Sequence, residues 1–98
     1  HHVLRMATLN SAAALALDRE IGSIEPGKAA DLCAVDLSAV ELSPCFNPAS
    51  HLVYAAGREH VSHVWLQGEL RVAQGQLLQI SNTELLDIAR VWQNKLRI

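Results

Sequence analysis

The residues Gly22–Leu32, GSIEPGKAADL, place a Gly-Lys pair close to an acid, so they could bind phosphate or supply a catalytic acid. A phosphate-binding P-loop needs a glycine five residues before the Gly-Lys pair, a Ser or Thr after the lysine, and then a helix. Gly22 has the required position, but Ala29 follows Lys28 and a strand-like run follows that. The residue pattern therefore argues against a phosphate site.

The same stretch predicts a tight turn. Pro26 and Gly27 occupy the second and third positions of a type II turn, where proline fixes φ and glycine accepts a positive φ. Asp31 has no second carboxylate at a fixed spacing, so we expect it to accept backbone N–H groups of this turn rather than to act as a general base. Pro26, Gly27 and Asp31 are thus predicted as structural turn residues.

The five histidines do not have the spacing of a metal site. His60 and His63 are three apart, near or on a predicted strand, so their side chains should point to opposite faces. His51 lies on a predicted helix with Tyr54 and Ala55 at the two positions where a second ligand would be needed. We expect surface or hydrogen-bonding roles for these histidines, and predict no metal ligand or cofactor-binding residue. His1 and His2 fit either a tag remnant or native residues.

The two cysteines lack Cys-x-x-Cys spacing and are expected to be free thiols in a reducing cytoplasm. Cys33 lies in a strand-like apolar run, where a small core residue is expected more often than a nucleophile, and no histidine is placed to activate it. Cys45, between Pro44 and Phe46, is predicted to be exposed. No catalytic residue is predicted.

Composition limits the class of protein. The chain has 98 residues, half of them hydrophobic, which fits one small globular domain. Eight basic and ten acidic residues give a net charge of −2, without the basic patch of a nucleic-acid binder. For this reason we do not expect nucleic acid as a partner. The longest apolar run is too short to span a bilayer, so we do not expect a membrane as a partner either. The chain opens inside an apolar helical pattern without an initiator Met, which indicates a piece of a longer protein.

Hydrophobic periodicity and capping residues predict four helices. The first should end near Ala7, and Thr8 should cap a second, alanine-rich helix that another element can approach closely. The four predicted ranges are residues 1–7, 8–17, 48–56 with Asn47 as its cap, and 81–98. The last is an amphipathic helix, because Ser81 and Glu84 have capping-box spacing and apolar residues follow on one face.

Strand signals predict one buried strand and a meander. Residues 30–37 have apolar side chains at both odd and even positions, as expected of a strand covered on both faces. Three short runs, 61–67, 69–73 and 76–80, are separated by Gly-containing turns. The fold class predicted from these elements is α+β, a small sheet of about three to four strands with flanking helices.

Two long stretches resemble a known family: LRMATLNSAAALALDREIGSIEPGKAADLCAVDL and NPASHLVYAAGREHVSHVWLQGEL. They are similar to the C-terminal part of amidohydrolase-superfamily deaminases, nearest the 5-methylthioadenosine/S-adenosylhomocysteine deaminases, with triazine-type chlorohydrolases close by. The resemblance implies a (β/α)₈ barrel that holds one divalent metal, zinc or iron, which activates water. The family's His-x-His, further histidines and Asp do not occur here, so this chain is expected to be non-catalytic.

The resemblance also implies a division of the chain. Residues 1–17 correspond to the end of the last barrel helix and the following short helix, 18–80 to part of a composite β-sandwich with an inserted helix at 48–56, and 81–98 to the C-terminal helix. Two positions depart from the family pattern. Ser11 stands where Gly or Pro is frequent, and Ala16 replaces a helix-ending Gly. Loss of that glycine is expected to let the helix run on by a residue or two.

Two functions remain open at this point. The first is the C-terminal structural portion of a metal-dependent amidohydrolase that deaminates an amino-heterocycle. Its partners would be the missing barrel and N-terminal strands, or a second copy bound through open sheet edges. The second is a free-standing α+β interaction or oligomerisation module without enzyme activity.

Overall fold

Residues 2–14 form one continuous helical segment rather than two helices. The computed structural model describes residues 1–97, and its helical segment consists of α1 (His2–Arg5), a π-helical stretch (Met6–Asn10) and α2 (Ser11–Ala14). The predicted cap at Thr8 is wrong. Its Oγ1 donates a hydrogen bond to the Leu4 carbonyl at 2.7 Å. A Thr or Ser inside a helix can make this bond instead of capping a helix, and the bond distorts the helix without ending it.

The helical segment ends with a left-handed residue, although that residue is not glycine. Ala16 has φ +60°. The Leu17 N–H bonds to the Ala12 carbonyl at 2.8 Å and the Ala16 N–H to the Ala13 carbonyl at 3.0 Å, which is the Schellman pattern. The expected extension of the helix is therefore wrong, because these two bonds hold Ala16 in the conformation that a glycine would normally supply.

Four strands form an antiparallel sheet in sequence order. They are β1 (Leu32–Val35), β2 (Val61–Leu66), β3 (Glu69–Ala73) and β4 (Gln76–Leu77). The predicted α+β class and the meander of the last three strands are confirmed, although β1 and β4 are shorter than their predicted ranges.

The prediction that residues 30–37 form the most buried strand is wrong. Within the described residues β1 pairs with β2 only, so it lies at the edge of the sheet, and Cys33 on it is exposed. Apolar residues do occur at both odd and even positions of this strand, so both of its faces would be more stable buried than in water. Among the described residues, however, three of the four β1 residues are only half-buried and Cys33 is exposed.

The third helix, α3 (Pro48–Tyr54), begins as the sequence predicts. The Asn47 side chain accepts the Ser50 N–H at 3.3 Å, and Pro48 occupies the first turn, where its missing N–H removes no hydrogen bond. The helix packs against α1 and ends slightly before the predicted boundary. Two short 3₁₀ turns flank it in the chain, Val40–Leu42 before and Arg58–His60 after.

The last helix, α4 (Asn82–Lys95), has the predicted cap, since the Ser81 hydroxyl accepts the Glu84 N–H at 3.1 Å. The helix ends at Lys95, so the predicted range to residue 98 is too long. Every residue from 81 to 97 is exposed, including Leu85, Ile88 and Trp92 on the apolar face.

Within residues 1–97, no helix combines the length and the apolar character needed to cross a bilayer.

The chain buries few apolar side chains. In the described part, Ala12 and Leu42 are the only apolar residues below 5% exposure. The accessible surface of 7,953 Å² exceeds the roughly 5,500 Å² of a compact monomer of this mass. The radius of gyration, 16.9 Å, likewise exceeds the roughly 12.6 Å expected for a domain of this length. Much of the apolar surface therefore faces solvent rather than a core.

Candidate functional site

Pro26 and Gly27 form a hydrogen-bonded turn, and the Lys28 side chain is bound by residues of the same stretch. The Lys28 N–H bonds to the Glu25 carbonyl at 3.2 Å, and Gly27 has φ +90°, the geometry that the third position of a type II turn requires. The Lys28 ammonium lies 2.7 Å from the Ser23 Oγ and 3.0 Å from a Glu25 carboxylate oxygen.

These contacts pair the Lys28 ammonium with the Glu25 carboxylate inside the turn. The Ser23 hydroxyl also donates to Glu25, and this bond, together with Lys28, holds the pKa of the Glu25 carboxyl below its usual value. The Lys28 side chain is only 12% exposed. An ammonium that is already hydrogen-bonded to an acid and a hydroxyl within its own turn is not arranged to receive a phosphate.

Asp31 accepts a backbone N–H, but from a different turn than the sequence indicates. Its Oδ1 lies 2.8 Å from the Gln67 nitrogen, in the two-residue turn between β2 and β3. Gln67 and Gly68 both have positive φ, which is typical of a type I′ hairpin turn, and the Gly68 N–H bonds to the Ala30 carbonyl at 3.0 Å. Asp31 thus fixes this hairpin to the start of β1.

Gly22 allows the loop to approach the first helical segment closely. Its φ is +97°, and a Cβ built there would lie 2.9 Å from the Ala12 Cβ and 3.1 Å from the Leu9 Cα. Real Cβ atoms do not approach so closely, so the position needs glycine. The expectation that the alanine-rich helix admits a close neighbour is confirmed by this contact.

His60 is the one buried titratable side chain in the described residues, with 6% exposure. Its Nδ1 accepts the Gly57 N–H at 2.9 Å, which leaves the ring proton of the neutral form on Nε2, 2.9 Å from a Glu41 carboxylate oxygen. The bond to Glu41 raises the pKa of His60, while burial acts against it. The same bond lowers the pKa of Glu41. No local spacing signal marks this pair, because its members are nineteen residues apart.

His63 also has local contacts. The His63 ring stacks on Trp65 with centroids 5.8 Å apart, and its Nδ1 lies 2.9 Å from the Ser62 hydroxyl. Residues 1–97 contain no group of three or more His, Cys, Asp or Glu side chains arranged to hold a metal ion. The residues described here therefore do not fit a resident metal.

Both cysteines are exposed. The prediction for Cys45 is confirmed, whereas the core position predicted for Cys33 is wrong. Cys33 lines an open groove between β1 and the first helical segment, so its side chain meets solvent.

An open apolar groove runs between the first helical segment and β1. Its volume is about 450 Å³, and its apolar lining includes Leu15, Ile21, Ile24 and Leu32. Leu15 and Ile24 are 71% and 86% exposed. This groove and the uncovered face of α4 are exposed apolar surfaces of the kind that mark interaction sites. Sequence periodicity indicated the face of α4, but it gave no signal for the groove.

Comparisons with known proteins agree with this arrangement. The sequence model of the Amidohydrolase family matches residues 1–71. A 5-methylthioadenosine/S-adenosylhomocysteine deaminase from Teredinibacter turnerae is 42% identical over 98% of the chain, which spans 22% of that relative. The chain thus covers about a fifth of the length of this relative.

Two solved structures resemble the chain. An adenosine deaminase from Xanthomonas campestris, crystallised with bound zinc, matches 96% of the chain at 46% identity, with a TM-score of 0.90 over 21% of its own length. A triazine hydrolase variant matches 90% of the chain at 26% identity, with a TM-score of 0.81 over 19% of its own length. The family is typically metal-dependent. Since the family match covers well over half of the sequence and the backbone agrees with these structures, the chain belongs to the amidohydrolase family.

Proposed function

We propose that this chain is the C-terminal structural portion of a metal-dependent amidohydrolase that deaminates an adenosine analogue such as 5-methylthioadenosine or S-adenosylhomocysteine. The observation that carries the proposal is the 42% identity over 98% of the chain to a deaminase of that name, of which the chain spans about a fifth. The adenosine deaminase structure supports the same substrate class, an aminopurine nucleoside.

The chain itself is proposed to be non-catalytic. In the described residues His60 is bound to Gly57 and Glu41, and His63 is stacked on Trp65. A zinc or iron ion would then be held by the rest of the polypeptide. This portion would contribute a rigid surface for the remainder to pack against.

The proposed partner is the remainder of the same enzyme. Residues 1–17 would complete the barrel, 18–80 would form part of a β-sandwich, and 81–98 would supply the last helix. The excess of about 2,400 Å² of accessible surface over a compact monomer supports a partner of this size, because a standard protein interface buries only about 800 Å² on each side.

The test starts from the coding DNA upstream of His1. We expect a long open reading frame that encodes a His-x-His motif. The protein expressed from that frame should release ammonia from 5-methylthioadenosine or S-adenosylhomocysteine, whereas the 98-residue chain should not. Ammonia release by the 98-residue chain alone, or a start codon near Val3, would contradict the proposal. A start codon there would favour the alternative, a free-standing interaction module.

Isolated from such a partner, the chain should self-associate. The β1 edge and the face of α4 leave backbone and apolar groups uncovered, and open edges of this kind pair with other chains. We expect a dimer or larger oligomer by light scattering at tens of micromolar. A monomer at that concentration would refute self-association without affecting the proposed enzyme.

A further inference from the structure

His60 connects three separate parts of the chain through its ring and its backbone carbonyl. Its Nδ1 accepts the Gly57 N–H at 2.9 Å, and its Nε2 lies 2.9 Å from a carboxylate oxygen of Glu41, on the Val40–Leu42 turn. Its backbone carbonyl accepts the Asp36 N–H at 2.8 Å, next to the end of β1. The ring is 6% exposed, whereas the Glu41 side chain is 64% exposed.

The hydrogen-bond pattern requires a neutral ring. An Nδ1 that accepts an N–H carries no proton of its own, and a protonated imidazole has donors at both nitrogens. If Nδ1 gains a proton, that proton and the Gly57 N–H point at each other. One of the two donors must then find another acceptor.

A second acceptor already lies beside Nδ1. The Oε1 of Glu59 is 3.8 Å from it, beyond hydrogen-bond distance but within reach of a small side-chain rotation. The same carboxylate lies directly over the Cα of Gly57. Glu59 is 69% exposed, so its side chain has room to move.

We propose that His60 is a pH-operated switch in the connection between α3 and β2, in which proton uptake at Nδ1 exchanges the bond from the Gly57 N–H for a bond to the Glu59 carboxylate. The proton comes from solvent, and no other bond is made or broken.

The charges around the ring favour the protonated state. Acidic groups face it from three elements: Glu41 on the turn before α3, Glu59 on its own 3₁₀ turn, and Asp36 after β1. His63 lines the same cavity of about 410 Å³, and Arg58 is the neighbouring base on the 3₁₀ turn. The acids outnumber the bases, and the bond to Glu41 raises the pKa of His60, although burial acts against it.

The consequence of the switch is local. Gly57 lies between the end of α3 and the 3₁₀ turn that leads into β2. Loss of the bond from its N–H frees the backbone at this junction, whereas the bond to Glu41 persists in both states. Acidic pH is therefore expected to loosen the position of α3, and with it the contact between α3 and α1.

The test is an NMR titration of the protein labelled with ¹⁵N at glycine and histidine, from about pH 5 to about pH 8. The sequence has five residues of each type, so the spectra are simple. We expect the Nδ1 of His60 to change from unprotonated to protonated and the Gly57 amide to shift with the same midpoint. The other four glycine amides serve as internal references and should not follow that midpoint.

Two matched variants separate the switch from a general effect of charge. Glu59→Gln removes the charged acceptor and should lower the midpoint of His60, whereas Glu20→Gln changes an exposed acid elsewhere and should not. The proposal is overturned if the Gly57 amide stays fixed while His60 titrates, if Nδ1 already carries the proton in the neutral ring, or if both variants have the same effect.

Discussion

Replacing Ala16 with glycine should stabilise the chain, although the change removes a methyl group and adds flexibility. Ala16 has φ +60°, in the left-handed region, where a side chain costs about 1–2 kcal/mol. Glycine avoids that cost but loses about 0.5–1 kcal/mol through the greater entropy of the unfolded chain. The residue is exposed, so no packing is lost. The difference predicts a gain of about 0.5–1 kcal/mol in the free energy of unfolding.

The measurement is thermal unfolding followed by far-UV circular dichroism. For a chain of this size a gain of that magnitude raises the midpoint by roughly 2–8 °C. The matched control is Ala13→Gly, at an exposed position inside α2 where φ is helical, which should lower the stability by about 1 kcal/mol. If both glycine variants lower the midpoint, Ala16 is not left-handed in solution and the assignment of the Schellman end is wrong.

Four further outcomes are expected. Gly22→Ala should lower the unfolding midpoint more than an average surface change, because the new Cβ meets the helix at 2.9 Å and the residue must keep a φ of +97°. Asp31→Ala should cost about 1 kcal/mol of unfolding free energy by denaturant titration, since a backbone N–H of the β2–β3 turn loses its acceptor. A thiol reagent should modify Cys33 in the native isolated chain as fast as in the unfolded chain, and strong protection would contradict its position at the sheet edge. The raised pKa of His60 means that the stability from its protonated pair with Glu41 is present below about pH 6.5 and is lost as pH rises through the raised value. Glu41→Gln should flatten that dependence in unfolding midpoints measured at several pH values.

Short-range features were predictable because neighbouring residues decide them. Ser81 caps α4 and Asn47 caps α3, and each side chain accepts an N–H only three residues further on. The Pro26–Gly27 turn likewise depends on the φ preferences of two adjacent residues. The sheet class followed from the periodicity of the strands and the glycine turns between them.

Local propensity was misleading where a second local arrangement was available. Thr8 is a good cap by composition, yet its hydroxyl bonds back to the carbonyl of Leu4 and the helix continues. Ala16 is a poor left-handed residue, yet two backbone hydrogen bonds end the helix there. In both cases the competing conformations differ by about 1 kcal/mol, which sequence preferences alone do not resolve.

The sequence by itself determined the family, the capped starts of α3 and α4, the order of turns and strands, and the lack of the family's metal-binding motifs. Only the tertiary structure decided that Asp31 binds the turn at Gln67, that His60 joins Gly57 to Glu41, and that β1 lies at an edge with Cys33 exposed. The reason is physical: these features depend on which distant segments become neighbours in the sheet. That choice is made by the burial and hydrogen bonding of the whole chain rather than by any window of adjacent residues.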